Sequence, residues 1–145
     1  LKALVLEDKR VISIREYDTP VLKRDETIVD VEVVGIGGSE YLGYHNPGIR
    51  TLPNVMGHGI TGTTPTGERV AVYPLQGCGV CKYCLHEQTQ LCEFWNLIGV
   101  HSNGGFAQKV AVPKGLLFSL PDDLTWEQSV FIEPFANSIN AWNRA

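Results

Sequence analysis

All four cysteines of the chain fall inside one stretch of fifteen residues, as Cys78, Cys81, Cys84 and Cys92. A disulfide framework ties distant parts of a chain together. Thiols packed this tightly, with none elsewhere, point instead to a metal. The spacing Cys-x2-Cys-x2-Cys-x7-Cys suits a tetrahedral zinc ion, whose Zn–S bonds are about 2.3 Å long. The two-residue steps let tight turns bring successive sulfurs to one point, and Gly77 and Gly79 supply the backbone freedom those turns need. The longer excursion to Cys92 lets the chain return and close the site. Lys82 and backbone N–H groups are available to offset the thiolate charge. An iron–sulfur cluster fits less well, because ferredoxin-type runs have a shorter last step followed by proline, and Glu93 follows here. With four sulfurs closing the shell, no position remains for a substrate. The expectation is one structural zinc that holds residues 77–95 together.

Length and charge narrow the class. A chain of 145 residues fits one domain with a modest core. A net charge of −4 and no basic run argue against nucleic acid or an anionic membrane as partner. No apolar stretch approaches a membrane span, and the apolar start at Leu1–Leu6 is too short for a signal peptide. Together with the clustered thiols this predicts a cytoplasmic protein. The single methionine is internal, at Met56, and the last apolar repeat runs to Ala145 with no stop signal. A portion of a longer protein is therefore expected.

The pattern is mainly β with short helices. Residues 4–6 and 11–14 read as short strands around a polar turn. In residues 28–34, Asp30 and Glu32 alternate with apolar neighbours, the period of a half-buried strand. Ser39 is placed to cap a helical turn over 40–44. Further strands are predicted over 69–73, 106–112 and 116–118. Thr125 with Gln128 forms a capping box, Pro134 should break or kink the helix near its own position, and Phe135, Ile139 and Trp142 recur at helical spacing. Trp95, Trp126 and Trp142 are read as packing residues, and His45, His86 and His101 as surface or loop residues.

Residues 57–62 match G-x-G-x-x-G, a fingerprint that binds a dinucleotide only between a strand and a helix. The next residues, Thr63-Thr64-Pro65-Thr66-Gly67, cannot open a helix, so no dinucleotide is expected there. The motifs have a more specific reading in their order. Gly35-Ile36-Gly37-Gly38-Ser39-Glu40, Gly57-His58, the cysteine loop, Ile98-Gly99-Val100-His101, Gly104-Gly105-Phe106-Ala107 and Ile132-Glu133-Pro134 resemble the catalytic domain of zinc-dependent medium-chain alcohol and polyol dehydrogenases. The sorbitol and threonine dehydrogenase branch is the most similar. The resemblance implies that residues 1–145 form a GroES-like irregular β-barrel whose C-terminal helix leads to a Rossmann domain absent from this chain. That missing domain would carry NAD or NADP. It also implies a small-molecule alcohol or carbonyl substrate and a homo-oligomeric full-length protein.

In that family a second, catalytic zinc is held by the cysteine of G-I-C-G-[ST]-D, the histidine of G-H-E and a later carboxylate or cysteine. It stabilises the alkoxide, and a Ser or Thr two residues after the cysteine takes the alcohol proton. The resemblance carries His58 and Glu133 over as ligands and Ser39 as the relay hydroxyl. This chain departs from the pattern at three positions: Gly37 stands where the family has its cysteine, Gly59 where it has its glutamate, and Glu40, one methylene longer, where it has its aspartate. Three readings remain open: an oxidoreductase with a catalytic zinc, a reductase that works without one, and a zinc-stabilised module with no catalysis.

Overall fold

The computed structural model describes residues 1–145. The elements run β1 (Lys2–Asp8), β2 (Val11–Glu16), β3 (Glu26–Gly35), α1 (Gly38–His45), β4 (Asn54–Val55), β5 (Gly59–Thr63), β6 (Arg69–Val72), β7 (Leu75–Gln76), α2 (Lys82–Leu85), β8 (Asn96–Leu97), β9 (Lys109–Pro113), β10 (Leu117–Ser119), α3 (Trp126–Ser129) and α4 (Ile132–Trp142). Strands thus dominate and the helices are short, as the alternation predicted. No helix is long and apolar enough to cross a membrane.

Three antiparallel sheets make a curled half-barrel: β2-β1-β4, β10-β6-β5-β3-β9 and the small pair β7-β8. The five-stranded sheet carries the main core, in which Val29, Ile60, Val70, Val72, Ile98, Val110 and Val112 pack together. A second small cluster joins Ala3, Val5 and Val55, with Phe106 and Ala107 against it. In β3 the alternation works as expected. Val29 is buried, Glu32 is exposed, and Asp30 forms an ion pair with Lys109 on the neighbouring β9. At Gly62 β5 lies tight against β3: a Cβ there would run into the Asp30 carbonyl and stand 2.8 Å from Val29 Cγ1.

Several sequence expectations are corrected. The strand expected over 106–112 is split. Leu4 N–H donates to the Phe106 carbonyl at 2.7 Å and Gln108 N–H to the Lys2 carbonyl at 3.2 Å, whereas Lys109–Pro113 pair with β3. Residues 106–108 are therefore the corner by which the chain leaves one sheet for the next. Pro134 does not break the C-terminal helix. It lies in the first turn of α4, where its missing N–H would have had no helical partner. The break falls earlier, between α3 and α4. Phe131, Phe135, Ile139 and Trp142 do not pack inward either, and Trp142 is 83% exposed. The capping box holds: Gln128 N–H donates to Thr125 Oγ1 at 3.2 Å and Thr125 N–H to Gln128 Oε1 at 3.0 Å.

Candidate functional site

Two chemically active clusters stand apart in the fold. The first is the cysteine loop. Cys78, Cys81, Cys84 and Cys92 are free thiols whose sulfurs all lie within 4.8 Å of one another. Sulfurs around a tetrahedral zinc are about 3.8 Å apart, given Zn–S bonds of about 2.3 Å, and Cys78 Sγ and Cys84 Sγ are 4.0 Å apart. Backbone donors already point at the sulfurs. Cys78 and Phe94 N–H donate to Cys92 Sγ at 3.4 and 3.3 Å, and Cys81 N–H donates to Cys78 Sγ at 3.4 Å. Such donors stabilise thiolates. The N–H groups of Val80 and Cys81 lower the Cys78 thiol to about 6. At Cys84 the Gly79 N–H pulls down, but burial and the neighbouring sulfurs outweigh it and raise that thiol to about 11. Gly79 takes a φ of +78°, which side chains avoid, and so turns the chain between Cys78 and Cys81. Lys82 lies over the Tyr83 ring at 4.7 Å, so the charge relief expected of it comes from backbone donors instead. The donor set fits one zinc ion in a closed shell.

The second cluster arises from strand register. β3 and β5 are neighbours, with Gly35 opposite Gly59. The end of β3 therefore leads α1 to the place where His58 enters β5. α3 and α4 then cover this end of the sheet. Ser129 Oγ shares a 2.8 Å hydrogen bond with Thr61 Oγ1 on β5. Arg69 supports the approach by donating to the Pro121 and Asp122 carbonyls at 3.0 and 2.9 Å, with Trp126 under its guanidinium. Gly59 faces α4 here, and a Cβ built on it would meet Glu133 Cβ at an ordinary contact distance of 4.0 Å.

Ser39, His58 and Glu133 consequently line one open cleft of about 510 Å³, together with Gly37, Glu40 and Asn137. Glu40, which stands where the family has a shorter aspartate, is its anchor. It is 2% exposed and accepts from Gly37 N–H at 2.9 Å and Ser39 Oγ at 3.3 Å, while its Oε1 meets His58 Nδ1 at 2.5 Å. Burial opposes charge on this carboxyl, yet the His58 bond prevails and holds it at about 2. The same bond raises the His58 pKa against its own desolvation. Ser39 is not the cap of α1. Gly37 occupies that position, and Ser39 Oγ lies 3.4 Å from His58 Nδ1.

With Nδ1 taken by Glu40, only His58 Nε2 faces the cleft, 3.7 Å from Glu133 Oε2. Glu133 is braced by Asn137, which donates to its other oxygen. These residues do not fit a catalytic zinc. Such sites use three protein ligands, and two donors converge here, with no side chain at Gly37. The remaining histidines lie outside the cleft. Arg10 Nε donates to His45 Nδ1 at 3.0 Å, His86 Nδ1 bonds the Lys82 carbonyl at 2.6 Å, and His101 packs edge-on against Trp95. Residues 57–62, the apparent dinucleotide fingerprint, run into β5 and are followed by a turn and another strand.

Comparison with known proteins places these features together. Residues 23–122 match the alcohol dehydrogenase GroES-like domain family. The chain is 31% identical to the sorbitol dehydrogenase of Bacillus subtilis, over 97% of this chain and 44% of that protein. Among solved structures, the short chain alcohol dehydrogenase RspB of Escherichia coli CFT073, complexed with NADH, superimposes with a TM-score of 0.89. Its identity is 31%, covering 96% of this chain and 44% of that one. Galactitol-1-phosphate dehydrogenase of Escherichia coli superimposes with a TM-score of 0.86 at 29% identity, over 92% and 42% respectively. The chain thus spans less than half the length of the relatives it matches. On fold, motif order and sequence, the chain belongs to the zinc-type medium-chain alcohol and polyol dehydrogenase family and represents its GroES-like domain.

Proposed function

We propose that this chain is the substrate-binding part of an NAD(P)-dependent oxidoreductase that acts on an alcohol, polyol or sugar-derived hydroxyl, with one structural zinc on its four cysteines and none in its cleft. The Rossmann domain that holds the nicotinamide lies elsewhere in the longer protein, as the relatives' lengths suggest. The proposed setting is the reducing cytoplasm. The observation that carries the reading is His58, bonded by Glu40 on one nitrogen and open to the cleft on the other, opposite Glu133.

The nicotinamide supplies or takes the hydride when bound. This chain's residues handle the oxygen and its proton. An oxygen seated beside both His58 Nε2 and Glu133 Oε2 accepts from the imidazolium N–H. In the reducing direction the carbonyl carbon gains hydride while its oxygen takes the His58 proton, leaving an alcohol and a neutral imidazole. In the oxidising direction the alcohol O–H gives that proton back to His58 Nε2 as hydride leaves carbon. Glu40 keeps the imidazolium stable between these steps, a preorganised donor that needs no metal. Ser39 Oγ lies near enough to Nδ1 and Glu40 to hold the dyad in place.

The test is the longer protein, assayed with NAD and NADP on polyols, sugar acids and threonine. Turnover lost by His58→Ala is expected. Gly37 and Gly59 favour a second reading, a zinc-stabilised family member with no catalysis. Cofactor binding without turnover on any substrate, and no effect of His58→Ala, would establish it.

A further inference from the structure

Arg50 lies in the loop after α1 and belongs to none of the motifs. Its Nη1 donates to the Gly99 carbonyl at 2.7 Å and its Nη2 to the Ser39 carbonyl at 2.8 Å. One planar fork thus ties the first turn of α1 to the turn at 97–102, two segments far apart in sequence. The guanidinium reaches Ser39 by lying against α1 at Gly43, where a Cβ would stand 2.7 Å from both Cζ and Nη2. Glu40 and Gly43 are the two buried residues of α1 and lie one turn apart, hence on one face. The guanidinium therefore runs along the face from which Glu40 reaches His58. Burial disfavours its charge, and the Glu40 carboxylate counters that.

We propose that Arg50 is a positioning residue of the cleft: bridging the Ser39 and Gly99 carbonyls through the gap left at Gly43, it fixes the first turn of α1 so that Glu40 stays on His58 Nδ1 and Nε2 stays turned toward the substrate oxygen. The consequence for catalysis rests on the function proposed above; the geometric claim stands apart from it. Arginine suits the place because its planar guanidinium presents two N–H groups in a fixed fork to the two carbonyls, whereas a lysine ammonium carries the same charge as a point on a flexible stem. Glycine is needed at position 43 because any side chain would evict the guanidinium. The signal was invisible in sequence, since an arginine in a loop and a glycine in a helix have no fixed spacing.

The test uses the isotopically labelled, zinc-loaded longer protein in solution at pH 6. Through-hydrogen-bond couplings are expected from the Arg50 Nη groups to the Ser39 and Gly99 carbonyls in the unaltered protein. Their absence overturns the proposal, whatever the variants do. Arg50→Lys and Gly43→Ala should each speed solvent exchange of the His58 Nδ1 proton roughly tenfold, the scale of a charged hydrogen bond lost. Zinc content and far-ultraviolet circular dichroism should stay as in the parent. Folded variants with unchanged exchange refute the positioning role. If the couplings and exchange behave as expected but the longer protein turns over no substrate, the functional reading fails and the positioning role remains.

Discussion

Replacing Glu40 by glutamine keeps the size of the side chain and removes its charge. The carboxyl is held at about 2 against an ordinary 4.5, and at about 1.4 kcal/mol per pH unit that caps its contribution near 3 kcal/mol. Part of this belongs to the Gly37 N–H bond, which glutamine can still accept. The expected loss at pH 6 is therefore about 2 kcal/mol, or roughly 5 °C in Tm for a chain of this size. The pH dependence is the sharper signature. Glu40 contributes its full stabilisation above 4.5, and this is lost as pH falls toward 2. His58, whose pKa is raised, contributes fully below 6.5 and loses its share as pH rises through its folded value. The pair is thus worth most between about pH 4.5 and 6.5. Urea unfolding of parent and Glu40→Gln should show a gap that narrows toward about 1 kcal/mol by pH 9. A gap of equal size at pH 6 and pH 9, or none at pH 6, would refute the ion-pair account.

Removing zinc with a chelator should disorder residues 77–95 and leave the five-stranded sheet folded, because the loop contributes only Cys92 to the buried set. Amide exchange would then quicken in the loop but not in β3, β5 or β6, with Tm falling by roughly 10 °C. Gly62→Ala should cost about 3 kcal/mol in chemical unfolding, since the added methyl meets the Asp30 carbonyl in the neighbouring strand; a neutral result would mean that β3 and β5 do not approach as described.

Much of this protein was legible in its sequence, and the failures have physical causes. Period-two alternation located β3 and the tight cysteine spacing located the cluster of four sulfurs, because both are short-range patterns. The capping box at Thr125 was readable for the same reason. The cap assigned to Ser39 was not. A motif of small residues permits several starts, and strand register, with Gly35 opposite Gly59, decided for Gly37. The 106–112 run could not reveal its own corner, since the split depends on which strand each half meets. The cleft was legible in part. Ser39, His58 and Glu133 do share it, but Glu40 as the partner of His58 required knowing that the first turn of α1 lies beside the residue leading into β5. The donor missing at Gly37 was legible in the sequence; that no other side chain converges to replace it only the fold could show.

The count of zinc per chain bears most directly on this account. After gel filtration the protein should retain one zinc, lost on replacing Cys92 by serine and unaffected by replacing His58 by alanine. Two zincs, with one lost in His58→Ala, would contradict the metal-free cleft. Iron, or no metal in a folded chain, would contradict the assignment of the four cysteines.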